Sequence, residues 1–324
     1  MCVSSTLFTG SQWRSFSGSQ NVISTRGKHL RGREREHWRS KERCTRTNDG
    51  KDIPQLVGEG VYGIHSVLQA LETGYRTIHA LYVREEHTPT HGQRRQKKSV
   101  ADLKALERIY ELTEANGIVR YPLSKWMLNH ITGDKPHQGV VLDAAQIVLK
   151  DFVPATPSGF TESTRSPVIL VLDEIHDPQN FGAILRSAHF LGCSTVVVTD
   201  GNTAPVSPTV SRASVGALEI LVATEKLMKT RNLHEMLAIS GDLGWRIVGA
   251  CSGPDSISSI DFATDAQPTI LVMGNEHRGL RKSIRQCCHA IVTIPGHATD
   301  TNTCVDSLNV SVASAILLYE LLHH

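Results

Sequence analysis

The chain has 324 residues, 40% of them hydrophobic and 20% charged, with a net charge of +2, enough length for two domains with their own cores. No stretch reaches the roughly 18–20 apolar residues of a membrane span, so no membrane association is read from it. Seven cysteines (Cys2, Cys44, Cys193, Cys251, Cys287, Cys288, Cys304) include no C-x-x-C pair, which points to reduced thiols and away from a zinc site or a disulfide framework; no metal is expected.

Residues 1–50 differ from the rest. No acid precedes Glu34, while Arg14, Arg26, Lys28, Arg31 and Arg33 accumulate among serines. This composition reads as a transit peptide to the mitochondrial matrix; the other reading is a basic tail that touches RNA. Leu56–Gly63, LVGEGVYG, then presents glycines 58, 60 and 63 in a G-x-G-x-x-G pattern, with Glu85 and Glu86 about twenty residues on. A dinucleotide site needs a good strand in front of those glycines, and only Gln55–Val57, directly behind Pro54, is available.

Thr77–Val83 has the composition of a strand, Val100–Asn116 the spacing of a helix, Ser124–Ile131 that of a second helix, and Gly139–Leu142 that of another strand. Between them Arg94, Arg95, Lys97 and Lys98 suit either a solvated loop or an RNA-phosphate contact. The alternation describes a small α/β domain over 54–143. Residues 144–166, rich in Pro, Ser and Thr, read as a linker to a second domain over 167–324.

That second domain opens with the strand Val168–Leu172 and a helix entered through Asp177-Pro178 and carrying Arg186. Thr195–Thr199 is the next strand, Ile220–Val222 is expected as strand, Leu233–Leu237 as helix, and Arg246–Ala250 and Ile270–Met273 as strands. After the latter come a Gly274–Gly279 loop bearing the acid Glu276, a helix over Leu280–Cys288, and the strand Ala290–Ile294 stopped by Pro295 and Gly296. The chain ends in Ser307–Leu322, apolar on nearly every face, which must pack on its own domain, on another subunit, or on both. The sum is a parallel α/β sheet with ligand loops at its strand C-termini.

Three blocks, Asn180–Ala188 (NFGAILRSA), Ile270–Leu280 (ILVMGNEHRGL) and Ser307–Ala313 (SLNVSVA), resemble in order the motifs of the SpoU/TrmH family of RNA ribose 2′-O-methyltransferases, within the SPOUT superfamily. GVYGIHSVLQAL and HQGVVL are similar to that family's ribosomal-protein-like RNA-binding domain, which accounts for the glycines better than a nucleotide site does. With the transit-like start, the chain looks most like the branch that methylates a guanosine of mitochondrial large-subunit rRNA.

The resemblance implies a C-terminal trefoil knot, an exception to unknotted folding. It also implies S-adenosylmethionine as cofactor, large-subunit rRNA as partner, and a homodimer through the terminal helix around Val312, Ile316 and Tyr319. By it, Gly274, Ile294 and Leu308 contact the cofactor, with Met273, Asn275, Pro295 and Asn309 shaping the pocket. Arg186 clamps phosphate and stabilises the developing alkoxide; an arginine stays charged, so the proton acceptor is unassigned. Asn180 fixes its loop or touches RNA, Glu276 orients the loop and Arg186, and Ser307 and Asn309 place the ribose or cap the last helix. The family's short IPM-x-G-x-x-x-S-L link is here a longer polar loop between Gly296 and Ser307. A non-catalytic ribosome-assembly factor with the same fold is the alternative.

Overall fold

The computed structural model describes residues 44–46, 52–85, 99–160, 166–251, 256–262, 267–296 and 307–323. Apart from one short strand, the expected leader over 1–50 lies outside the described residues, as do Arg94, Arg95, Lys97 and Lys98 and the loop 297–306. The strands are β1 (Cys44–Arg46), β2 (Asp52–Pro54), β3 (Glu59–Tyr62), β4 (Ile78–Arg84), β5 (Arg120–Leu123), β6 (Val140–Ala144), β7 (Val168–Leu172), β8 (Thr195–Thr199), β9 (Leu227–Thr230), β10 (Arg246–Ala250), β11 (Ile257–Ser258), β12 (Thr269–Met273) and β13 (Ala290–Thr293). The helices that matter below are α1 (Ile64–Thr73), α2 (Val100–Ala115), α3 (Lys125–Thr132), α4 (Pro178–Leu191), α5 (Pro208–Ala213), α6 (Ala217–Ala223), α7 (Leu233–Asp242) and, after two single-turn helices, the terminal α10 (Val310–His323).

The smaller sheet has the order β3-β6-β4-β5. Its inner faces alternate as a pleated strand must: Leu81, Val140 and Leu142 pack under α1 and α2, while Ala80, Tyr82 and Val141 face Leu128 of α3. The glycine-rich stretch is itself strand β3, not a loop behind a strand. Buried Asp143 on β6 accepts the amides of Val57 and Gly58 at 2.9 Å each, and a Cβ on Gly58 would fall on the Ala144 carbonyl. Gly58 therefore serves backbone approach within the sheet, with Asp143 as the acceptor that draws the chain in.

The larger sheet is parallel throughout, in the order β11-β13-β10-β12-β7-β8-β9. β7, β8 and β12 are buried along their whole length, which is why they read as continuous Val/Ile/Leu runs. Leu170, Leu172, Leu271 and Met273 face a layer that includes α4, α5, α6 and α10; Ile169, Val171, Ile270 and Val272 face α7. The strand order reverses between β7 and β12. Crevices of this kind, at the strand C-termini, are where open α/β sheets take ligands.

Two expectations fail here. Ile220–Val222 lies inside helix α6, and the strand is β9, seven residues later. A three-residue apolar run cannot distinguish the two; Gly216, at φ +87°, starts the helix. The helix expected over Leu280–Cys288 is reduced to one turn, Lys282–Arg285. The stretch read as a linker is partly built into the larger sheet: Phe152 is buried, its amide donates to the Lys229 carbonyl at 2.7 Å, and the Lys229 amide donates to the Lys150 carbonyl at 2.9 Å.

The two sheets meet across a polar seam. Arg76, 5% exposed, donates from Nε and Nη2 to both carboxylate oxygens of buried Glu219 at 2.8 Å, and also reaches Glu59. Glu219 accepts the Ser211 hydroxyl at 2.8 Å, and the Ser66 hydroxyl donates to the Ser211 carbonyl at 3.0 Å. Burial pushes the Arg76 guanidinium down, but the adjoining Glu219 and Glu59 carboxylates outweigh it and hold the group above its ordinary value. Burial raises the Glu59 carboxyl against the lowering effect of Arg76.

Candidate active site

The ends of β7 and β12 pair side by side, Leu172 with Met273. The loop after β12 folds back on itself: the Asn275 amide donates to the Gly279 carbonyl at 3.1 Å and the Gly279 amide returns a bond to the Asn275 carbonyl at 2.9 Å. The Asn275 side-chain oxygen accepts the amides of His277 and Arg278 at 3.0 and 3.1 Å, and its amide donates to the Glu174 carbonyl at 3.0 Å. Gly274 sits at the base of this loop. A Cβ there would lie 2.5 Å from the Gly279 oxygen and 2.8 Å from the Leu280 nitrogen, so the hairpin closes only over a glycine.

Beneath it, Arg281 forms a bidentate pair with buried Asp173, Nε to Oδ2 at 2.9 Å and Nη2 to Oδ1 at 2.8 Å. Asp173 follows β7 directly, so this pair ties the loop after β12 to the end of its neighbour strand. Glu174, next in the chain, adopts φ +59°, an unusual conformation for a side-chain-bearing residue that local structure must enforce.

On the rim three predicted residues from three distant blocks meet. The Asn180 amide donates to the Glu276 carboxylate, and the Asn309 amide donates to the Asn180 side-chain oxygen at 3.1 Å. The Asn309 oxygen in turn accepts the Ser311 amide at 2.8 Å and the Ser311 hydroxyl at 2.6 Å. Asn309 is thus the N-cap of α10, and its carbonyl takes the first helical bonds from Val312 and Ala313. Ser307 is exposed and lies two residues outside that cap, so the capping role falls to Asn309.

Arg186 lies on α4, less than two turns beyond Asn180, with its side chain exposed. Glu276 bonds Asn180 instead, and no Glu276–Arg186 ion pair occurs among the described residues, contrary to the expected orienting contact. Gly182 brings α4 against α5, where a Cβ would meet Ala213 and the Val210 carbonyl.

Met273 and Gly274 are buried, Asn275, Ile294 and Pro295 half-buried, and the apolar side chain of Leu308, next to Asn309 of the rim, is 51% exposed. Gly274, Ile294 and Leu308 make no main-chain hydrogen bond outside the sheet ladder among the described residues. Main-chain groups without a partner among the described residues, beside a half-exposed apolar side chain, match what a nucleoside ligand requires: polar edges for the base and a wall for its face.

Cys193 and Cys288 are poor nucleophiles. Burial pushes the Cys193 thiol up to about 12; burial and then the neighbouring Cys287 do the same for Cys288. No group of three or more His, Cys, Asp or Glu among the described residues is placed to hold a metal, and no described helix is long and apolar enough to cross a membrane. Asp173, Arg281, Arg76 and Glu219 support the site and the seam without standing out in the sequence. The one sequence signal for any of them is the Asp-Glu pair that ends the VILVL strand.

Residues 167–319 match the model of the SpoU rRNA methylase family, and residues 61–147 match that of the RNA 2′-O ribose methyltransferase substrate-binding domain. Mitochondrial rRNA methyltransferase 1 of Schizosaccharomyces pombe is 33% identical over 299 residues, covering 82% of this chain and 90% of that protein. The 23S rRNA (guanosine-2′-O-)-methyltransferase RlmB of Coxiella burnetii is 31% identical, covering 81% of this chain and 94% of that one. Among solved structures, the SpoU methyltransferase AviRb of Streptomyces viridochromogenes in complex with AdoMet aligns with a TM-score of 0.58 at 22% identity, over 81% of this chain and 88% of that one.

Proposed function

The chain belongs to the SpoU family of RNA methyltransferases, and from that premise we propose that it transfers a methyl group from S-adenosylmethionine to a guanosine ribose 2′-hydroxyl of mitochondrial large-subunit rRNA. The observation that carries this reading is the Asn180–Glu276–Asn309 network, which joins residues from the three separate motif blocks on one rim. The guanosine target draws support from the relative in Coxiella. The mitochondrial setting draws support from the relative in S. pombe and from the acid-free, arginine-rich start of the chain. The reading treats 54–143 as the RNA-binding domain, 144–166 as the linker and 167–324 as the methyltransferase domain.

The cofactor, when bound, supplies a methyl group on a sulfonium, open to in-line attack by an oxygen. The protein's part is to place that oxygen and the charge that develops on it. Met273, Gly274, Asn275, Ile294, Pro295 and Leu308 form the cofactor cradle, through main-chain groups and apolar surface. Arg186, exposed and in no ion pair among the described residues, is free to take a phosphate beside the target ribose and to stabilise the alkoxide as the proton leaves. Asn180, Glu276 and Asn309 hold the rim on which the ribose rests, and Ser307 stands at its edge. The same reading includes a knot made by the C-terminal segment and a two-fold dimer through α10, supported by Val312 and Tyr319, each about half exposed on an otherwise apolar helix.

The test is to compare wild type with Arg186→Ala. Calorimetry with S-adenosylmethionine should give the same affinity for both, while transfer of labelled methyl to a mitochondrial large-subunit rRNA transcript should drop at least ~100-fold in the variant, the scale of losing one charge-stabilising group. Undiminished transfer would remove Arg186 from the mechanism, and failure of wild-type protein to bind the cofactor would remove the enzyme reading itself.

A further inference from the structure

Arg212 on α5 is anomalous. Its Nε is buried and has no hydrogen-bond partner, although a guanidinium N–H is among the costliest donors to leave unpaired. The side chain runs directly over Gly63, at the seam between the two sheets: a Cβ on Gly63 would lie 2.5 Å from the Arg212 Cδ and 2.7 Å from its Nε. Gly63 has φ +92°, so both its conformation and the passage of Arg212 demand glycine. The third glycine of the apparent nucleotide motif is thereby explained as room for an arginine from across the seam.

A second cation stands close by. Lys135 donates from Nζ to the Thr209 hydroxyl at 2.7 Å and lies 5.9 Å over the Tyr62 ring, while the Tyr62 hydroxyl is 3.2 Å from the same Thr209 oxygen. Thr209 and Arg212 are three residues apart on one helix, so their side chains emerge on the same face. Neither Arg212 nor Lys135 has a carboxylate partner among the described residues. Two cations from the two sheets' surroundings thus meet at the same face of α5.

The site is also rigidly held. Ser211, adjacent to Arg212, is completely buried and is bonded from the other side of the seam by Ser66, while its hydroxyl is engaged by Glu219, the partner of Arg76. Ala213, on the other flank of Arg212, is the residue against which Gly182 of α4 packs, and Arg186 lies one turn further along α4. The paired cations therefore sit between the RNA-binding sheet and the helix that carries Arg186.

We propose that Arg212 and Lys135 form a phosphate-binding subsite at the domain seam, which seats one backbone phosphate of the RNA substrate and sets the distance from the bound RNA to the ribose being methylated. This rests on the RNA-methyltransferase reading above. Arg212 as a whole is half-buried and its charge has no carboxylate partner among the described residues, and an arginine presents phosphate with a planar fork that lysine lacks. The seam explains why the group is built from both domains: a phosphate held there is registered to both.

The experiment uses the full chain and a transcript of mitochondrial large-subunit rRNA, measuring affinity as a function of salt for wild type, Arg212→Gln, Lys135→Gln and the remote surface control Lys150→Gln. Removing one phosphate-neutralising cation should reduce the slope of log affinity against log salt by about 0.7–0.9. Arg212→Gln and Lys135→Gln should each show that reduction, with unchanged cofactor affinity by calorimetry, and Lys150→Gln should not. Arg212→Lys should keep most of the slope while raising KM for the transcript. Wild-type slopes in both Gln variants overturn the subsite. A reduction in Lys135→Gln alone removes Arg212 from it, as does loss of folding in both Arg212 variants, which would make that residue structural. Failure of the wild type itself to bind the transcript is a separate outcome, overturning the RNA reading on which the subsite depends.

Discussion

Replacing Gly274 by alanine adds one methyl group to the tightest point of the loop after β12. The new Cβ would lie 2.5 Å from the Gly279 oxygen, 2.6 Å from its carbonyl carbon and 2.8 Å from the Leu280 nitrogen, all main-chain atoms that cannot rotate away. The hairpin must open, and with it the paired bonds between Asn275 and Gly279. Overpacking of this kind costs about 1–3 kcal/mol. If the loop is the cofactor's cradle, most of that cost falls on binding, and S-adenosylmethionine should bind about 5- to 150-fold more weakly, at 1.4 kcal/mol per decade. Gly296→Ala is the matched control, because nothing among the described residues lies within 4 Å of its Cβ. Calorimetric titration, run well below each variant's melting temperature, separates loss of affinity from loss of fold. Wild-type affinity in Gly274→Ala, or an equal loss in Gly296→Ala, would refute the reasoning.

The buried pair at the seam should be costly to break and cheap to replace as a whole. Glu219→Leu leaves Arg76 buried with one carboxylate fewer and should destabilise by about 3–5 kcal/mol in urea unfolding, whereas adding Arg76→Met should restore most of it; equal losses in both would contradict this. His137 should make stability fall in mild acid. Its Nδ1 accepts the Gly139 amide at 3.0 Å and its Nε2 faces the Asn129 side-chain oxygen at 2.9 Å, an arrangement of the neutral ring. Burial first, then the Lys125 and Arg84 charges, hold it below its ordinary value. Stability contributed by the neutral ring is complete above about pH 6.5 and is lost as pH falls through the lower folded value. The melting temperature should therefore drop between about pH 7 and 5 more steeply than in His137→Gln; parallel curves would refute it. Finally, Asn180→Ala and Asn309→Ala share one bonded network, so their effects on methyl transfer should be strongly non-additive, the double variant losing little more than the worse single one; full additivity would deny that the network acts as a unit.

Much of the architecture was legible because burial writes it plainly. Val168–Leu172, Thr195–Thr199 and Ile270–Met273 are continuous apolar runs, and their strands are buried on both faces. Ser124 and Asp177 announced helix starts, and each accepts a main-chain amide as an N-cap. β5 does not declare itself in the sequence because Pro122 weakens its strand pattern; it survives at a sheet edge, paired with β4 alone among the described strands. Ile220–Val222 shows how three apolar residues fail to declare a period.

At the site, the motif blocks pointed to Asn180, Glu276 and Asn309 individually, but not to their mutual bonding, since that depends on the 96 and 129 residues of chain that separate them from one another. The Arg76–Glu219 and Arg281–Asp173 pairs are equally non-local. Little in the adjacent sequence distinguishes these charged residues from surface ones, and only folding reveals that Arg76, Glu219 and Asp173 are buried while Arg281 stays partly exposed.

The most direct test of the central claim is nucleoside analysis of the reaction product. Purified protein, S-adenosylmethionine and an unmodified mitochondrial large-subunit rRNA transcript are incubated, and the RNA is digested to nucleosides and analysed by mass spectrometry. Wild-type reactions should yield 2′-O-methylguanosine, nearly absent with Arg186→Ala. A methyl group on a base, on the ribose of another nucleotide, or on no nucleoside while the protein is folded and cofactor-bound would contradict that claim.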